Sequence, residues 1–409
     1  MKKLVVRKTD LCWLSLSLFW ILENLAPHSS VSQGAMAIML VSIGLYCFQH
    51  KKLEISPVLI SYSMVIVLQT LYILLGKVSR EAITINNIET MLICLLCGIV
   101  IYTFLYNAED MDKIGSFFIY TGIISLVIVM YLCRGSLLTG RMAHAYGEGA
   151  VSYYFMGKPV AISSNGIATY SCFGFFFALI KYAKDKNIKW LIFSGIFIIG
   201  VVLTGSRKGI LMLGAFWAIY EIIIKKNRAI VLKIFGMIVA LILGYIAITR
   251  IPVFRNIIGE RLEDLLLKMF TGATVTEGSM TARARYALYA REIISQEYLF
   301  GKGLGWFKSV YGNVTENNYY ELIVGCGIVG LALNYSFVIA VLKKIHRFKY
   351  DKMCVAMSMV LVVLLIMEWG SVVYLSRDTL IYESLFFIAV KFANAQKCKK
   401  NCQELASDK

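Results

Sequence analysis

The sequence predicts an all-α polytopic membrane protein, and three observations support this prediction. First, 58% of the 409 residues are hydrophobic and only 16% are charged, whereas a soluble domain averages roughly 45–50% apolar and about 25% charged residues. Second, the apolar residues fall in runs of about 20, the length at which a helix crosses roughly 30 Å of hydrocarbon. Third, the chain holds only four prolines, so these runs can form uninterrupted helices.

The apolar runs predict about twelve transmembrane helices in a single membrane domain that covers residues 1–409. The predicted spans are approximately 11–26, 31–49, 57–76, 88–107, 114–133, 161–180, 188–204, 208–224, 229–249, 318–341, 353–374 and 378–395. The first run has a basic start but no small-residue cleavage site, so we interpret it as a span and not as a signal peptide.

The basic residues predict the orientation of these spans. With the N-terminus in the cytoplasm, both termini lie inside, and 25 of the 42 lysines and arginines fall in inside segments. Nine of the others lie in one long outside loop, and long loops are translocated regardless of their charge. The net charge of +17 therefore reflects mainly membrane orientation, and we expect no nucleic-acid partner.

Two predicted outside loops are long, at about 134–160 and 250–317. The second, between spans nine and ten, is the only one long enough to form an external subdomain. Within it, residues 255–270 place apolar and acidic side chains on opposite helical faces, which predicts a helix that lies in the interface or packs on the bundle. Ser279 resembles the N-cap of a second helix that ends near residue 296.

Metal and cofactor sites are not expected. Most of the ten cysteines fall inside apolar runs, where cysteine behaves as a small hydrophobe. The pairs Cys94/Cys97 and Cys398/Cys402 lack the further cysteines or histidines that a zinc site needs. The four histidines are scattered, and no Ser/His/Asp set is evident.

The segment Thr204–Gly209, with the sequence TGSRKG, joins two spans by a short turn on the predicted outer face. The following helix begins here, where unpaired N–H groups and the positive end of the helix dipole attract anions. Ser206 can cap this helix, while Arg207 and Lys208 add full charges. Since arginine suits bidentate phosphate contacts, the turn is predicted to bind either an anionic substrate or lipid headgroups.

The predicted helix at 279–296 carries a basic and aromatic set. Its members are Arg283, Arg285, Tyr286, Tyr289 and Arg291. The arginines could clamp a phosphate while the tyrosines stack on sugar rings, and a solvated basic face is the alternative.

The segment Gly301–Phe307, with the sequence GKGLGWF, follows that helix. It does not follow a strand of a βαβ unit, so it is not a dinucleotide-binding motif. It is either a turn that lets the backbone approach a ligand or a flexible loop.

Glu316 and Asn317 directly precede a span that runs inward. A carboxylate at a helix N-terminus is stabilised by the helix dipole, so Glu316 is either a simple capping acid or a general base beside an anion site. The segment Ser163–Asn165 has a similar polar character at the outer start of another inward span.

Taken in order, these segments resemble the O-antigen ligase and Wzy-type polysaccharide polymerase superfamily. The Thr204–Gly209 segment resembles the family's GSR-G turn, and Asn165-Gly166 resembles its N-x-x-G/A position. Arg283 or Arg285, ahead of Arg291 and Gly301–Phe307, resembles the family's R…GxGxGxF loop. Glu316–Tyr319, followed by Gly327–Gly330, resembles its HN-xY…GIxG entry into a span.

One position departs from the family pattern. Glu316 stands where the ligase branch has a histidine, which favours the polymerase branch with a carboxylate as base. An ungapped count favours Arg283 over Arg285 as the family's arginine.

The resemblance implies a GT-C-like fold in the bacterial cytoplasmic membrane and a glycosyltransferase that needs no metal. It would polymerise undecaprenyl-pyrophosphate-linked oligosaccharide repeat units on the outer face. Its further partners would be membrane lipids, a flippase and a chain-length regulator. The implied catalytic residues are Glu316, Arg207, Arg283 and Arg285, and the implied substrate-binding residues are Ser206, Lys208, Asn165, Arg291, Asn317 and Tyr319.

Three alternatives stay open at this point: ligase-type transfer to another acceptor, a lipid-linked oligosaccharide flippase or transporter, and a non-catalytic scaffold. Carriers are built from repeated halves with sites near the bilayer midplane. The sequence shows no half repeat, and its concentrated charges fall at the predicted outer surface.

Overall fold

The computed structural model describes residues 8–27, 29–51, 53–77, 82–134, 150–225 and 278–407, most of which are helical. The helices are α1 (Lys8–Leu25), α2 (Ser30–Gln49), α3 (Pro57–Leu74), α4 (Ala82–Tyr106), α5 (Met111–Leu132), α6 (Ser164–Asp185), α7 (Ile188–Thr204), α8 (Arg207–Ile219), α9 (Gly278–Gln296), α10 (Trp306–Tyr311), α11 (Asn318–Asn334), α12 (Phe337–Arg347), α13 (Lys352–Met367) and α14 (Arg377–Ser407). The predicted span at 229–249 and the predicted helix at 255–270 lie outside the described residues.

Among the described residues, seven stretches of helix are long and apolar enough to cross a membrane, which identifies the chain as a helical polytopic membrane protein. They are Ser30–Gln49, Pro57–Leu74, Thr84–Tyr106, Met111–Leu132, Ser164–Asp185, Asn318–Arg347 and Lys352–Gly370. Four other helices, α1, α7, α8 and α14, occupy further predicted spans. The total of twelve spans stays a prediction.

A β-hairpin lies between α5 and α6, in a stretch predicted as an outside loop. Its strands, β1 (Ala150–Phe155) and β2 (Lys158–Ser163), pair antiparallel. The turn residues Met156 and Gly157 have φ angles of 49° and 77°, as in the turns that match the twist of paired strands. The predicted span at 161–180 therefore begins at Ser164, after the second strand.

The chain divides into two compact units, and the first comprises Met1–Met39 and Asp112–Thr281. Aromatic side chains of α5, α6 and α8 form its core. The rings of Phe118 and Phe177 stack 5.5 Å apart, and the ring of Phe216 meets that of Phe173 edge-on at 5.3 Å. This packing holds α6 against α8 along their lengths.

The second unit comprises Leu40–Met111 and Ala282–Lys409, and α11 packs against α3 in its interior. The predicted span at 318–341 is not one continuous helix. It consists of α11 and α12, and α11 is itself broken at Gly327, whose φ of 67° and ψ of −177° are not helical. Such a break frees backbone N–H and C=O groups, which must find partners within the protein at membrane depth.

The segment between α9 and α10 supplies those partners. Three backbone hydrogen bonds join it to the broken helix: Lys302 N–H to Val324 O at 2.7 Å, Gly303 N–H to Gly325 O at 2.9 Å, and Ile328 N–H to Tyr298 O at 2.8 Å. The buried side chain of Gln69 on α3 adds two more, because its amide donates to Gly325 O at 3.2 Å and accepts from Leu304 N–H at 3.3 Å. Both the segment after α9 and the Gln69 side chain of α3 therefore supply hydrogen-bond partners at the break.

The glycines of this region allow the two backbones to touch. A Cβ atom on Gly301 would lie 2.7 Å from the carbonyl oxygen of Val324, and one on Gly327 would lie 2.0 Å from that of Leu299. In this structure the glycine-rich segment therefore packs against the chain's own helix, and it is not a flexible loop.

We expect Gly327→Ala to destabilise the protein by about 2–4 kcal/mol, because the added methyl overlaps Leu299 and alanine does not adopt the left-handed backbone readily. Thermal unfolding of the detergent-purified protein measures the effect. The control is Gly195→Ala in α7, where nothing lies within 4 Å of the added methyl; alanine there should leave stability unchanged or raise it by up to about 1 kcal/mol. Equal losses in both variants would contradict this account of the break.

Candidate functional site

The predicted site residues fall into two groups, one in each unit. The first unit holds Asn165, Ser206, Arg207 and Lys208, and the second holds Arg283, Arg285, Arg291, Glu316, Asn317 and Tyr319. Both groups include the first residues of helices, α6 and α8 in the first unit and α11 in the second.

The turn between α7 and α8 is tight, and several hydrogen bonds hold it. Gly205 ends α7 in the left-handed conformation, with φ of 65°. Ser206 caps α8, since its hydroxyl accepts from the Gly209 N–H at 3.0 Å. The Thr204 hydroxyl accepts from the Ser206 N–H at 3.2 Å. These bonds fix the direction in which Arg207 leaves the turn.

A second bond joins this turn to the start of α6. The Ser206 hydroxyl donates to Asn165 Oδ1 at 2.7 Å, and Ser206 is only 5% exposed. The start of α6 is capped by Ser163, whose hydroxyl accepts from the Asn165 N–H at 3.2 Å. The first turns of two helices therefore lie side by side, and their positive dipole ends add at one place.

Gly209 makes this close approach possible. A Cβ atom there would lie 2.4 Å from the Cβ of Ala168 on α6. The Cys172 thiol of α6 also contacts the Gly209 carbonyl oxygen at 3.5 Å. The second glycine of TGSRKG therefore sets the spacing between α6 and α8, a packing role that the sequence did not reveal.

Arg207 and Lys208 occupy the first turn of α8, and both side chains are partly exposed. They place two full positive charges where the dipole ends of α6 and α8 meet. Helix N-termini with adjacent cations are suited to phosphate-like anions. The anion site at this turn stays a prediction.

In the second unit, Glu316 lies on the loop that leads into α11, and its backbone is strained. Its φ of 61° falls in the left-handed region, which costs a non-glycine residue about 1–2 kcal/mol. Such strain persists only where the surrounding structure imposes it, and it is concentrated at functional sites. Lys51, Met156 and Lys186 also have a positive φ, and Glu316 is the member of this set that lies among the predicted site residues.

The bonds that impose this conformation come from the residues around Glu316. Asn317 caps α11, because its side-chain oxygen accepts from the N–H groups of Tyr319 and Tyr320 at 2.9 and 3.2 Å. The buried carboxylate of Glu321 accepts from the Thr315 N–H at 2.9 Å. The loop is thus held on both sides of Glu316, and the Glu316 side chain extends from a rigid stretch of backbone.

Glu316 pairs with Arg283 of α9. The guanidinium nitrogen lies 3.4 Å from the carboxylate, with side-chain exposures of 48% for Arg283 and 29% for Glu316. An ion pair this exposed contributes little to stability. Both groups stay accessible to a ligand, which is what a reacting pair requires.

The other two arginines of α9 lie beside tyrosine rings. Arg291 donates to the Tyr320 hydroxyl at 3.0 Å and also lies over the Tyr320 ring. The guanidinium carbon of Arg285 lies 5.8 Å from the ring centre of Tyr286. Both arginines are exposed, so the outward face of α9 is basic. The tyrosines of α9, Tyr286 and Tyr289, instead pack against the buried cluster on the other face.

The opposite face of α9 packs against α10 and α11. Ala290, Ile293, Phe307 and Val324 form a buried cluster, and Tyr289 on α9 stacks on Tyr311 of α10 at 4.7 Å. The packing of this cluster holds α9 against the start of α11. It thereby sets the distance between the side chains of Arg283 and Glu316.

Asn317 and Tyr319, which were predicted to bind substrate, both make contacts within the fold. The Asn317 side chain is occupied by the cap of α11. The Tyr319 hydroxyl donates to the Leu365 carbonyl oxygen at 2.6 Å, and its ring stacks on Tyr335 at 5.2 Å. In this structure both residues position Glu316 and Tyr320.

A buried polar cluster beneath this loop was not predicted. Asn318 donates to Glu368 at 2.7 Å and to the Tyr335 hydroxyl at 3.0 Å, and its oxygen accepts from the N–H groups of Val373 and Tyr374 at 3.0 and 3.2 Å. Tyr335 also donates to Glu368. Asn318 thus ties the first residue of α11 to the connection between α13 and α14.

A sequence signal for this cluster existed. Glu368 follows an apolar run, and an ionisable residue within a membrane segment usually has a functional or structural partner. The partner could not be chosen from the sequence, because Asn317 and Asn318 are adjacent and chemically identical.

Metal ligands do not cluster in the described part of the chain. Among those residues, no group of three histidine, cysteine, aspartate or glutamate side chains is arranged to hold a metal ion. The cations in the two groups are arginine and lysine side chains.

Comparisons with known proteins do not extend this description. No protein-family model matches the chain, and neither curated proteins nor solved structures give a match.

We expect Glu316→Gly to be more stable than Glu316→Ala by about 1–2 kcal/mol. Both variants lose the ion pair, but only glycine relieves the left-handed backbone. Chemical or thermal unfolding of the two purified variants measures the difference. The same pair of changes at Glu292, which lies within α9, should give the opposite sign, with alanine more stable by about 1 kcal/mol. A preference for alanine at both positions would argue against strain at Glu316.

We expect Asn318→Ala to destabilise the protein by about 2–4 kcal/mol, because it leaves several buried polar groups unpaired. Asn107→Ala is the comparison, since the amide of Asn107 makes a hydrogen bond to Thr103 O at 2.8 Å in a less buried place. That change should cost about 1 kcal/mol. Thermal unfolding measures both losses of stability. Similar losses for the two variants would show that the buried cluster stabilises the protein no more than a single ordinary hydrogen bond.

Proposed function

We propose that this protein is a membrane glycosyltransferase that polymerises undecaprenyl-pyrophosphate-linked oligosaccharide repeat units into a surface polysaccharide. The proposal places the reaction on the outer face of the bacterial cytoplasmic membrane. It includes a GT-C-like arrangement of twelve spans, cytoplasmic termini, and an outside loop at 250–317.

The observation that carries this proposal is the Glu316 carboxylate, which is partly exposed, sits on a strained backbone and pairs with Arg283 at the start of a candidate membrane helix. A base that is held rigidly and stays accessible suits proton removal from a sugar hydroxyl. An adjacent arginine suits a phosphate-bearing substrate. The start of a membrane helix is also the level at which a lipid-linked headgroup lies.

The proposed step is a single glycosyl transfer. A sugar hydroxyl oxygen attacks the anomeric carbon of the lipid-linked chain, and the bond from that carbon to the pyrophosphate oxygen breaks. The hydroxyl proton passes to the Glu316 carboxylate, and the electron pair of the broken bond leaves on undecaprenyl pyrophosphate. The products are a longer glycan and the free lipid pyrophosphate.

The cations have the task of stabilising the negative charge that develops on the leaving pyrophosphate. In the first unit this task is assigned to Arg207 and Lys208, supported by the caps of α6 and α8. In the second unit it is assigned to Arg283 and Arg285. Ser206 and Asn165 would act by fixing the Arg207 turn.

The sugars are assigned to the outward face of α9. Arg291 and Tyr320 offer a guanidinium and a ring held together by a hydrogen bond, and rings of this kind stack on the apolar faces of sugars. Asn317 and Tyr319 would contribute indirectly, through the position of α11.

The test is reconstitution of the purified protein in liposomes with undecaprenyl-pyrophosphate-linked repeat units from the host strain and no nucleotide sugar. We expect a ladder of longer lipid-linked products. Arg207→Ala should reduce the rate at least about 100-fold, the cost of losing one stabilising group from the site of charge development. Arg347→Ala in α12 removes a comparable surface charge outside both groups and should leave the rate unchanged.

Other outcomes would overturn the polymerase proposal. Movement of the lipid-linked substrate across the bilayer without a ladder would indicate a flippase. A single transfer to an acceptor other than the repeat unit would indicate a ligase.

Glu316→Gln tests the base separately. The amide keeps the size of the side chain but cannot accept the proton, so we expect turnover to fall about 100- to 10,000-fold while binding of the lipid-linked substrate changes little. Turnover and binding are measured in the same proteoliposomes. Normal turnover in this variant would remove Glu316 from the base role without excluding transferase activity.

A further inference from the structure

A groove with a volume of about 510 Å³ lies in the second unit, on the side of α2 that faces α4. Its lining residues are Gly44, Cys47, Phe48, Lys51, Leu53, Val100 and Thr103. This volume falls in the range of about 300–1,000 Å³ that is typical of small-molecule sites. We refer to these seven residues as the α2–α4 groove.

The walls of the α2–α4 groove are effectively apolar. Thr103 is the one hydroxyl among the lining residues, and it is occupied: it donates to the Glu54 carbonyl oxygen at 2.9 Å and accepts from the Glu54 N–H at 3.1 Å. Lys51 is the one lining residue that is charged at neutral pH, and it lies just beyond the C-terminal end of α2. The groove thus combines an apolar channel with a single cation at one end.

Gly44 opens the groove. A Cβ atom at this position would have no atom within 4 Å, so a side chain here would project into empty space. The neighbouring Phe48 is 84% exposed and Leu53 is 67% exposed. Phe48 lies near the end of α2, a candidate membrane helix, where contact with lipid would avoid a costly contact with water. Leu53 lies in the connection that follows α2.

The chemistry of the α2–α4 groove matches one class of occupant. The acyl chain of a phospholipid fits an apolar channel that opens sideways from a membrane helix, and a phosphate fits the cation at its end. The predicted orientation places the C-terminal ends of α2 and α4 at the cytoplasmic face, where anionic lipids attract lysine. Lys52 follows in the sequence, and Glu54 is the nearest acidic residue along the chain, so the local balance is basic.

We propose that the α2–α4 groove binds an anionic phospholipid, with an acyl chain against Gly44 and Phe48 and the headgroup phosphate at Lys51. This inference is independent of the proposed transferase activity. It requires that the chain crosses a membrane and that the C-terminal end of α2 meets a leaflet that contains anionic lipid.

Cys47 provides a local readout, because it lines the groove. The full-length protein is reconstituted in nanodiscs of phosphatidylcholine, with or without phosphatidylglycerol of the same acyl chains. It is then treated with a membrane-permeant maleimide, and modification of Cys47 is followed by peptide mass spectrometry. Cys398 is exposed and serves as the internal control.

We expect phosphatidylglycerol to slow modification of Cys47 several-fold relative to phosphatidylcholine alone, without affecting Cys398. Lys51→Ala should abolish this difference, because the acyl chain remains but the phosphate loses its partner. Lys77→Ala, which removes a lysine beyond the end of α3, should preserve the difference.

Gly44→Leu tests the channel itself. The leucine side chain should fill the groove and make Cys47 modification independent of the lipid, while Gly34→Leu, at another open position on α2, should not. Should Gly44→Leu fail to fold, Lys51→Ala decides the question alone. Equal protection by both lipids in the unmodified protein, or none by either, would overturn the proposal.

Discussion

The break of α11 at Gly327 is the constraint on which the second unit depends. A membrane helix can be interrupted only where protein groups replace the lost backbone hydrogen bonds. Here they come from the glycine-rich segment that follows α9 and from Gln69. That segment is hydrogen-bonded to α11, and the loop that carries Glu316 leads directly into α11. The backbone of α11 therefore holds both α9 and the Glu316 loop. The pairing of Arg283 with Glu316 is a consequence of how the break is closed.

The polar residues near the helix starts divide according to burial. The buried ones make hydrogen bonds within the protein. Ser206 links two helix caps, Asn317 caps α11, and Asn318 bridges Glu368 to a backbone turn. A buried polar group without a partner would be costly, so these side chains have little capacity left for a ligand. The arginines on α9 stay exposed, and Glu316, Arg207 and Lys208 stay partly exposed. The candidate site is therefore small, and it rests on a much larger polar framework.

Most of the helices could be predicted from the sequence, because runs of about 20 apolar residues have few alternatives in a membrane. The capping role of Ser206 was likewise readable from its place before a helix. The hairpin was missed because its strands, AVSYYF and KPVAIS, are short and show no clear alternation of apolar and polar residues. The break at Gly327 was missed because glycine is common in membrane helices. The strained backbone of Glu316 and the different roles of the adjacent Asn317 and Asn318 arise from tertiary contacts, which no local sequence pattern encodes.

The hairpin between α5 and α6 has a practical consequence. Its turn exposes Met156 and Tyr154, at 75% and 73%, whereas Tyr153 within β1 is buried and donates to the Leu25 carbonyl oxygen. The arm is anchored at its base and open at its tip, which is where insertions are best tolerated. A short epitope placed between Met156 and Gly157 would therefore be displayed to an antibody without disturbing the strands. Labelling of intact cells against permeabilised cells would then reveal on which side of the bilayer this connection lies.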